Sequence, residues 1–146
     1  MDVKEALRSP GQLDAFVALW RDGVLPASAF THQAHVLVAA WHLAHMPYDD
    51  ALEAMRTGIP RFNVAAGGAN TADSGYHETL TRFWVAKVAA YLKIRADGEI
   101  PLVKVAAAVE HFGARRDWFT DHYSFDVPKS REARARWMEP DLRPID

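Results

Sequence analysis

Apolar positions recur at three- and four-residue spacing through most of this 146-residue chain, and no sustained alternation of period two appears. Leu13, Phe16, Val17 and Trp20 form the first such set. It lies between Ser9-Pro10, an N-cap followed by proline at the first helical position, and Gly23, where a C-cap glycine belongs. Thr31 caps a second stretch, FTHQAHVLVAAWHLAHM, which ends where Pro47 forbids further helix. Asp49 or Asp50 opens a third, carrying Leu52, Met55 and Ile59, which Pro60 is expected to kink or split. The segment VAAGGANTADSG breaks the pattern. Ser74 or Gly75 then starts a long helix from about Tyr76 to Arg95, closed by Asp97-Gly98. Pro101 opens another through VKVAAAVEHF, closed by Gly113. The tail holds an aromatic segment, DWFTDHYSF, a short charged helix, SREARARW, and the stop signal EPDLRP. These elements predict an all-α fold: a single domain over residues 1–146, with five to seven helices in an orthogonal or irregular bundle around a central helix, 31–46.

The choice of that helix as the centre rests on its composition. Val36, Leu37, Val38, Trp41, Leu43 and Met46 cover nearly every direction around its axis, and a helix that is apolar all round belongs inside its bundle. At ~100° per residue, His32, His35, His42 and His45 share one side within an arc of about 140°. His32 and His42 are separated by ~15 Å along the axis, so a single metal ion cannot take both. Only the pairs His32/His35 and His42/His45 can converge. The first pair sits at the helix N-terminus, where exposed N–H dipoles disfavour imidazolium and keep the rings neutral and able to ligate.

The later long helix adds a third imidazole. Its sequence YHETLTRFWVAKVAAYL places His77, Thr81, Trp84, Val88 and Tyr91 on one face with Leu80 beside them, and Glu78 with Arg82 as an i,i+4 ion pair on the other. His77 follows a glycine-rich loop suited to act as a lid or to admit a ligand closely. Three histidines on two helices would suit a metal site with one open position. The competing reading makes each a core histidine bonded to a backbone carbonyl or water. Asn63 is a ligand contact or a helix-terminus residue, and Thr81 an orienting hydroxyl or one that back-bonds its own helix. Tyr76, Trp84 and Tyr123 are pocket aromatics or packing residues. Asp121 and His122 are adjacent, so on a helix they point ~100° apart and make no dyad.

Composition narrows the chemistry. Cysteine is absent, which excludes disulfides, zinc–thiolate centres and a cysteine nucleophile. The net charge of −2 provides no global field for nucleic acid or anionic lipid. The run KSREARAR, the only basic cluster, reads as a solvated face. A hydrophobic share of 49% with 25% charged residues is that of a soluble globular protein. The opening MDVKEALRSP shows no signal-peptide pattern, and no apolar run approaches the ~20 residues of a membrane span, so a cytoplasmic location is expected. P-loop, GxSxG and HExxH motifs are missing, as are the paired ExxH motifs of di-iron bundles.

Three stretches together, FTHQAH, GYHETLTRFW and HYS…SREARARWMEPDLRPI, resemble a family of small bacterial proteins of uncharacterised activity. Its members read FTHxxH, YHxTxT and a closing ARxxWxxPDLxPL, with Ile145 here in place of the final leucine. The resemblance covers most of the chain from Phe30 onward. Thr31, His32, His35, Tyr76, His77, Thr79 and Thr81 fall on its motif positions, whereas His42 and His45 do not. It implies that His32, His35 and His77 belong to one shared feature, and it implies no reaction.

The leading expectation is a small α-helical enzyme acting on a small organic molecule in a pocket between helices. His32, His35 and His77 are its catalytic acid–base core or the ligands of a divalent metal, with zinc, iron(II), nickel or copper suited to neutral imidazoles. Asn63, Tyr76, Thr81, Trp84 and Tyr123 line the substrate pocket in this reading. The alternatives are a non-catalytic binding module for an apolar or aromatic ligand, haem included, and a helical interaction protein with structural histidines.

Overall fold

A computed structural model describes residues 1–95 and 98–146. Its helices are α1 (Val3–Ala6), α2 (Pro10–Arg21), α3 (His32–His45), α4 (Tyr48–Ala65), α5 (Glu78–Lys93), α6 (Pro101–Phe112) and α7 (Arg131–Ala135). Short 3-10 turns lie at Ala27–Ala29, Trp118–Asp121 and Val127–Lys129, and no strand occurs among the described residues. The chain is one all-α domain, as its periodicity predicts.

Side-chain oxygens set several of the helix starts. Ser9, Thr31 and Ser130 accept the N–H groups of Gln12, Ala34 and Ala133 at 3.1, 3.2 and 3.1 Å, each satisfying an otherwise orphaned donor. Gly23 ends α2 with φ +72, and the N–H of Val24 closes back on the Leu19 carbonyl at 2.9 Å. A Cβ on Gly23 would lie 2.6 Å from that of Ala65, so this glycine also lets α2 approach the end of α4.

Two elements differ from the periodic reading. Pro60 neither splits nor ends α4, which continues to Ala65. Ile59 and Phe62 on either side of it are buried, and that packing holds the helix through the missing N–H bond. The start of α5 lies two residues beyond Tyr76, because His77 has extended backbone (φ −134, ψ 108) and serves as the N-cap. At the other end α5 stops at Lys93. The expected stop residue Asp97 lies outside the described residues.

Helix α3 is central: Ala34, Val36, Leu37, Val38, Ala39, Ala40 and His42 are buried, and it packs against α1, α4, α5 and α6. Its alanines let neighbouring helices approach closely, while Phe16, Trp20, Met55 and Phe112 fill the space around it. Because α4 returns the chain, the N-terminus of α5 arrives beside the N-terminus of α3. A second, smaller core of Phe83, Tyr123, Val127 and Ala133 lies under the C-terminal tail, joined by Leu80, Met138 and Ile145.

Hydrogen bonds fasten the tail. Buried Thr79 donates its hydroxyl to the Arg136 carbonyl at 2.8 Å and accepts the Met138 N–H at 3.0 Å. Tyr123 donates to the Met138 carbonyl at 2.7 Å, and the Leu142 N–H meets the His122 carbonyl at 2.9 Å. No helix among the described residues is long and apolar enough to cross a membrane.

Candidate functional site

The N-termini of α3 and α5 and the C-termini of α4 and α6 meet around a cavity of about 830 Å3. His32, His35 and His77 all line it, together with Asn63, Tyr76, Thr81 and Trp84. Phe30, Ile59, Phe62, Leu80 and Phe119 make the rest of the wall mainly apolar. Gly68, Ala69, Ser74 and Gly75 of the α4–α5 loop cover one side, and Arg116 and Asp117 stand at another.

The three imidazoles share the cavity but not a role. His77 has spent both ring nitrogens on the protein. The Leu80 N–H donates to its Nδ1 at 3.1 Å, which requires Nδ1 to be unprotonated. The proton is therefore on Nε2, which donates to the Val127 carbonyl at 2.8 Å. His32 donates from Nε2 to the Phe112 carbonyl at 2.9 Å and packs on Trp84 with ring centroids 4.8 Å apart. His35 makes no hydrogen bond to a described residue; its ring stacks on Phe30 at 4.2 Å and 28°. Its polar atoms are free to meet what enters the cavity.

Burial is the leading cause that holds all three rings below the ordinary histidine pKa. For His32 and His77 the Phe112 and Val127 carbonyls oppose it by favouring the protonated ring. His35 lacks such a partner, and the nearby charges of His32 and Arg116 push the same way as burial. Its pKa falls to about 4. At neutral pH His35 is thus a neutral ring with one donor and one acceptor unspent.

A three-histidine metal centre does not fit this arrangement. No group of three or more His, Asp or Glu side chains among the described residues is placed to hold a metal ion. His77 in particular has no free lone pair, since its Nδ1 caps α5 and its Nε2 carries the proton given to Val127. His32, His35 and His77 all line the cavity, and no metal-ligand set of three forms from them among the described residues.

Other expectations divide in the same way. Tyr123 stands away from the cavity, buried in the smaller core with its hydroxyl on Met138. Asn63 donates to the Asn70 side chain at 3.0 Å, and Asn70 in turn accepts the Tyr76 N–H and donates to the Pro60 carbonyl. The loop is therefore tied to α4 at its centre. Glu78 does not pair with Arg82. It is buried, taking Arg56 of α4 at 2.7 Å and the Tyr76 hydroxyl at 2.5 Å. Burial, then the Glu78 contact, raise the Tyr76 phenol. His42 and His45 donate from Nδ1 to the Val38 and Trp41 carbonyls one turn back, at 2.8 and 2.7 Å, as core and surface histidines of their own helix. Asp121 bonds Arg115 and His122 meets Lys87, so they form no dyad.

Phe30, Phe62 and Phe119 were not singled out as wall residues by the sequence. Phe30 directly precedes the Thr31 cap, a position from which a side chain folds back over the first helical turn, and that signal was available. Nothing local marks Arg116 and Phe119, which reach the cavity only because α6 ends beside His32. Set against protein-family models, curated proteins and solved structures, the chain matches none.

Proposed function

We propose that this protein binds a small, largely apolar or aromatic organic molecule in the histidine cavity, with His35 as the group that recognises its polar atom. The observation that carries this reading is the position of His35, which stands on the wall of a cavity of about 830 Å3, stacks on Phe30 and hydrogen-bonds to no described residue. That volume lies within the range of small-molecule pockets, which pair an apolar lining with a few unspent polar groups. The half-buried His35 imidazole has a donor and an acceptor to offer a bound molecule, since it hydrogen-bonds to no described residue.

An enzymatic role for the same cavity assigns proton transfer to His35 as well, because His77 is committed at both nitrogens and His32 at one. A ring with a pKa of about 4 is a weak base at neutral pH. Catalysis would therefore require the bound molecule to raise that value, as a neighbouring anionic group does.

The test is protein-observed NMR with a set of small phenols, aromatic carboxylates and heteroaromatics. Binders are expected to perturb His35, Phe30 and Trp84 together, and His35→Phe, which keeps a ring but offers no hydrogen bond, is expected to weaken them by about tenfold. Zinc and haemin serve as further probes. A cavity that admits no fragment, or fragments that bind without disturbing His35, would overturn the reading. Tight 1:1 zinc binding that removes the His32, His35 and His77 signals would overturn it in favour of a metal site.

A further inference from the structure

A second cleft, of about 620 Å3, shares only Tyr76 with the histidine cavity. Five arginines line it: Arg56 from α4, Arg82 from α5, and Arg131, Arg134 and Arg136 from α7 and its end. Among the described residues the one carboxylate on its wall is Glu78, and with Asp73 and Glu132 beside the wall three carboxylates face five arginines, in a chain whose net charge is −2. The basic run in the tail is a solvated face, with Arg131 and Arg136 exposed. Three of its arginines turn toward two more from other helices.

The partners of these guanidinium groups show which charges remain unbalanced. Glu78 neutralises Arg56 at 2.7 Å and is further occupied by Tyr76. Asp73 holds Arg131 with two bonds of 2.6 Å, and Glu132 holds Arg136 through Nη2. Arg134 bonds only to carbonyl oxygens, those of Gly75, Tyr76 and Pro128, which orient the group without cancelling its charge. Arg82 hydrogen-bonds to no described residue and stacks over Trp137, 4.5 Å from the ring centroid.

Like charges gathered this closely repel one another. Here acids, carbonyls and an aromatic face hold them in place. Guanidinium forks already held by the protein lose little freedom on meeting an anion, and their planar donor pairs match phosphate oxygens. A concave, pocket-sized site suits a small molecule, whereas a long polyanion would need a basic stripe that this acidic chain does not provide. We propose that the cleft is a binding site for a small phosphorylated molecule, whose phosphate oxygens are held by Arg82 and the free donors of Arg136.

The probe is pyrophosphate, titrated into the intact protein at 0.15 M salt by calorimetry while the arginine Nε–H signals are followed by NMR. Saturable 1:1 binding with shifts of Arg82 and Arg136 is expected. Binding is expected to fall at least tenfold in Arg82→Gln/Arg136→Gln with the melting temperature little changed, and less than twofold in Arg8→Gln, which removes a charge between α1 and α2. Should the double variant lose its cooperative melt, Arg136→Gln alone carries the test, since among the described residues its only side-chain hydrogen bond is to exposed Glu132. Equal losses in Arg8→Gln, tighter binding of citrate than of pyrophosphate, or affinity that climbs with oligonucleotide length would each overturn the proposal. His35→Gln is expected to leave pyrophosphate binding intact, so failure at one site is read separately from failure at the other.

Discussion

The ring of His77 joins two parts of the chain fifty residues apart: its Nδ1 caps α5 through the Leu80 N–H while its Nε2–H holds the Val127 carbonyl at 2.8 Å. This histidine fastens the tail to the bundle beside the cavity. His77→Ala is expected to cost about 1–3 kcal/mol, combining a lost N-cap with the loss of one of two donors to the Val127 carbonyl, which keeps the Ser130 N–H at 3.1 Å. His77→Asn keeps a cap acceptor but not the Val127 bond, and should recover roughly 1 kcal/mol of that loss. Chemical denaturation of the three proteins checks the order. An alanine variant as stable as the parent would remove His77 from this role.

Thr79 makes a parallel prediction. Its hydroxyl serves the Arg136 carbonyl and the Met138 N–H together, and the side chain is fully buried. Thr79→Val keeps the shape and removes both bonds, so a loss of about 2 kcal/mol is expected. Limited proteolysis should then cut the tail after Ser130 faster in the variant than in the parent, with the bundle intact. Unchanged cleavage would show that the apolar contacts of Met138 and Ile145 suffice.

Much of this was legible along the chain, for physical reasons that differ by residue. Ser9, Thr31 and Gly23 announce their helix ends because capping is local chemistry. The all-round apolarity of 36–46 reveals a central helix because burial acts on every face of it. His32, His35 and His77 line one cavity, and their helical positions at two N-termini made them candidates along the chain. The division of labour among them was not legible, since it depends on carbonyls far away in sequence, Phe112 for His32 and Val127 for His77. The Glu78–Arg82 pair misled for a similar reason: helical spacing permits the contact, but Arg56 and Tyr76 reach the buried carboxylate from other directions. The arginine cleft was hidden because α4, α5 and α7 each supply only part of it.

The loop over the cavity depends on Gly75. Its φ is +82, and an added Cβ would lie 2.3 Å from the Ala69 carbonyl oxygen and 2.7 Å from the Asn70 side chain. Gly75→Ala is expected to lose about 1–3 kcal/mol, from the left-handed backbone and the displaced Asn70. Faster amide exchange at Tyr76, whose N–H donates to Asn70, would report that displacement. A variant with the parent's stability and exchange would show that the loop has another conformation of equal energy.

Acid should weaken the fold through the buried histidines. A histidine whose folded pKa lies below its unfolded value binds more protons when unfolded, so its contribution is present above the unfolded pKa and is lost as pH falls toward the folded one. For His35 that window runs from 6.5 down to about 4. His32, His42 and His77 are shifted in the same direction. Denaturation midpoints measured between pH 7.5 and 4.5 should fall, and His35→Gln should flatten the slope. A parent protein equally stable at both ends would contradict the assignment of these buried and half-buried rings as neutral.

The state of the His35 ring is the centre of this account, and a long-range 1H–15N spectrum of the imidazoles reads it directly. Recorded from pH 8 to 3.5, with His35→Gln identifying the signal, it should show His35 neutral down to about pH 4. Its nitrogens should then shift when a cavity-binding aromatic fragment is added at pH 7. His77 should stay throughout in the Nε2–H form and respond little to the fragment. A His35 ring already protonated near pH 6.5, or one whose nitrogens are indifferent to every molecule that enters the cavity, would contradict the account.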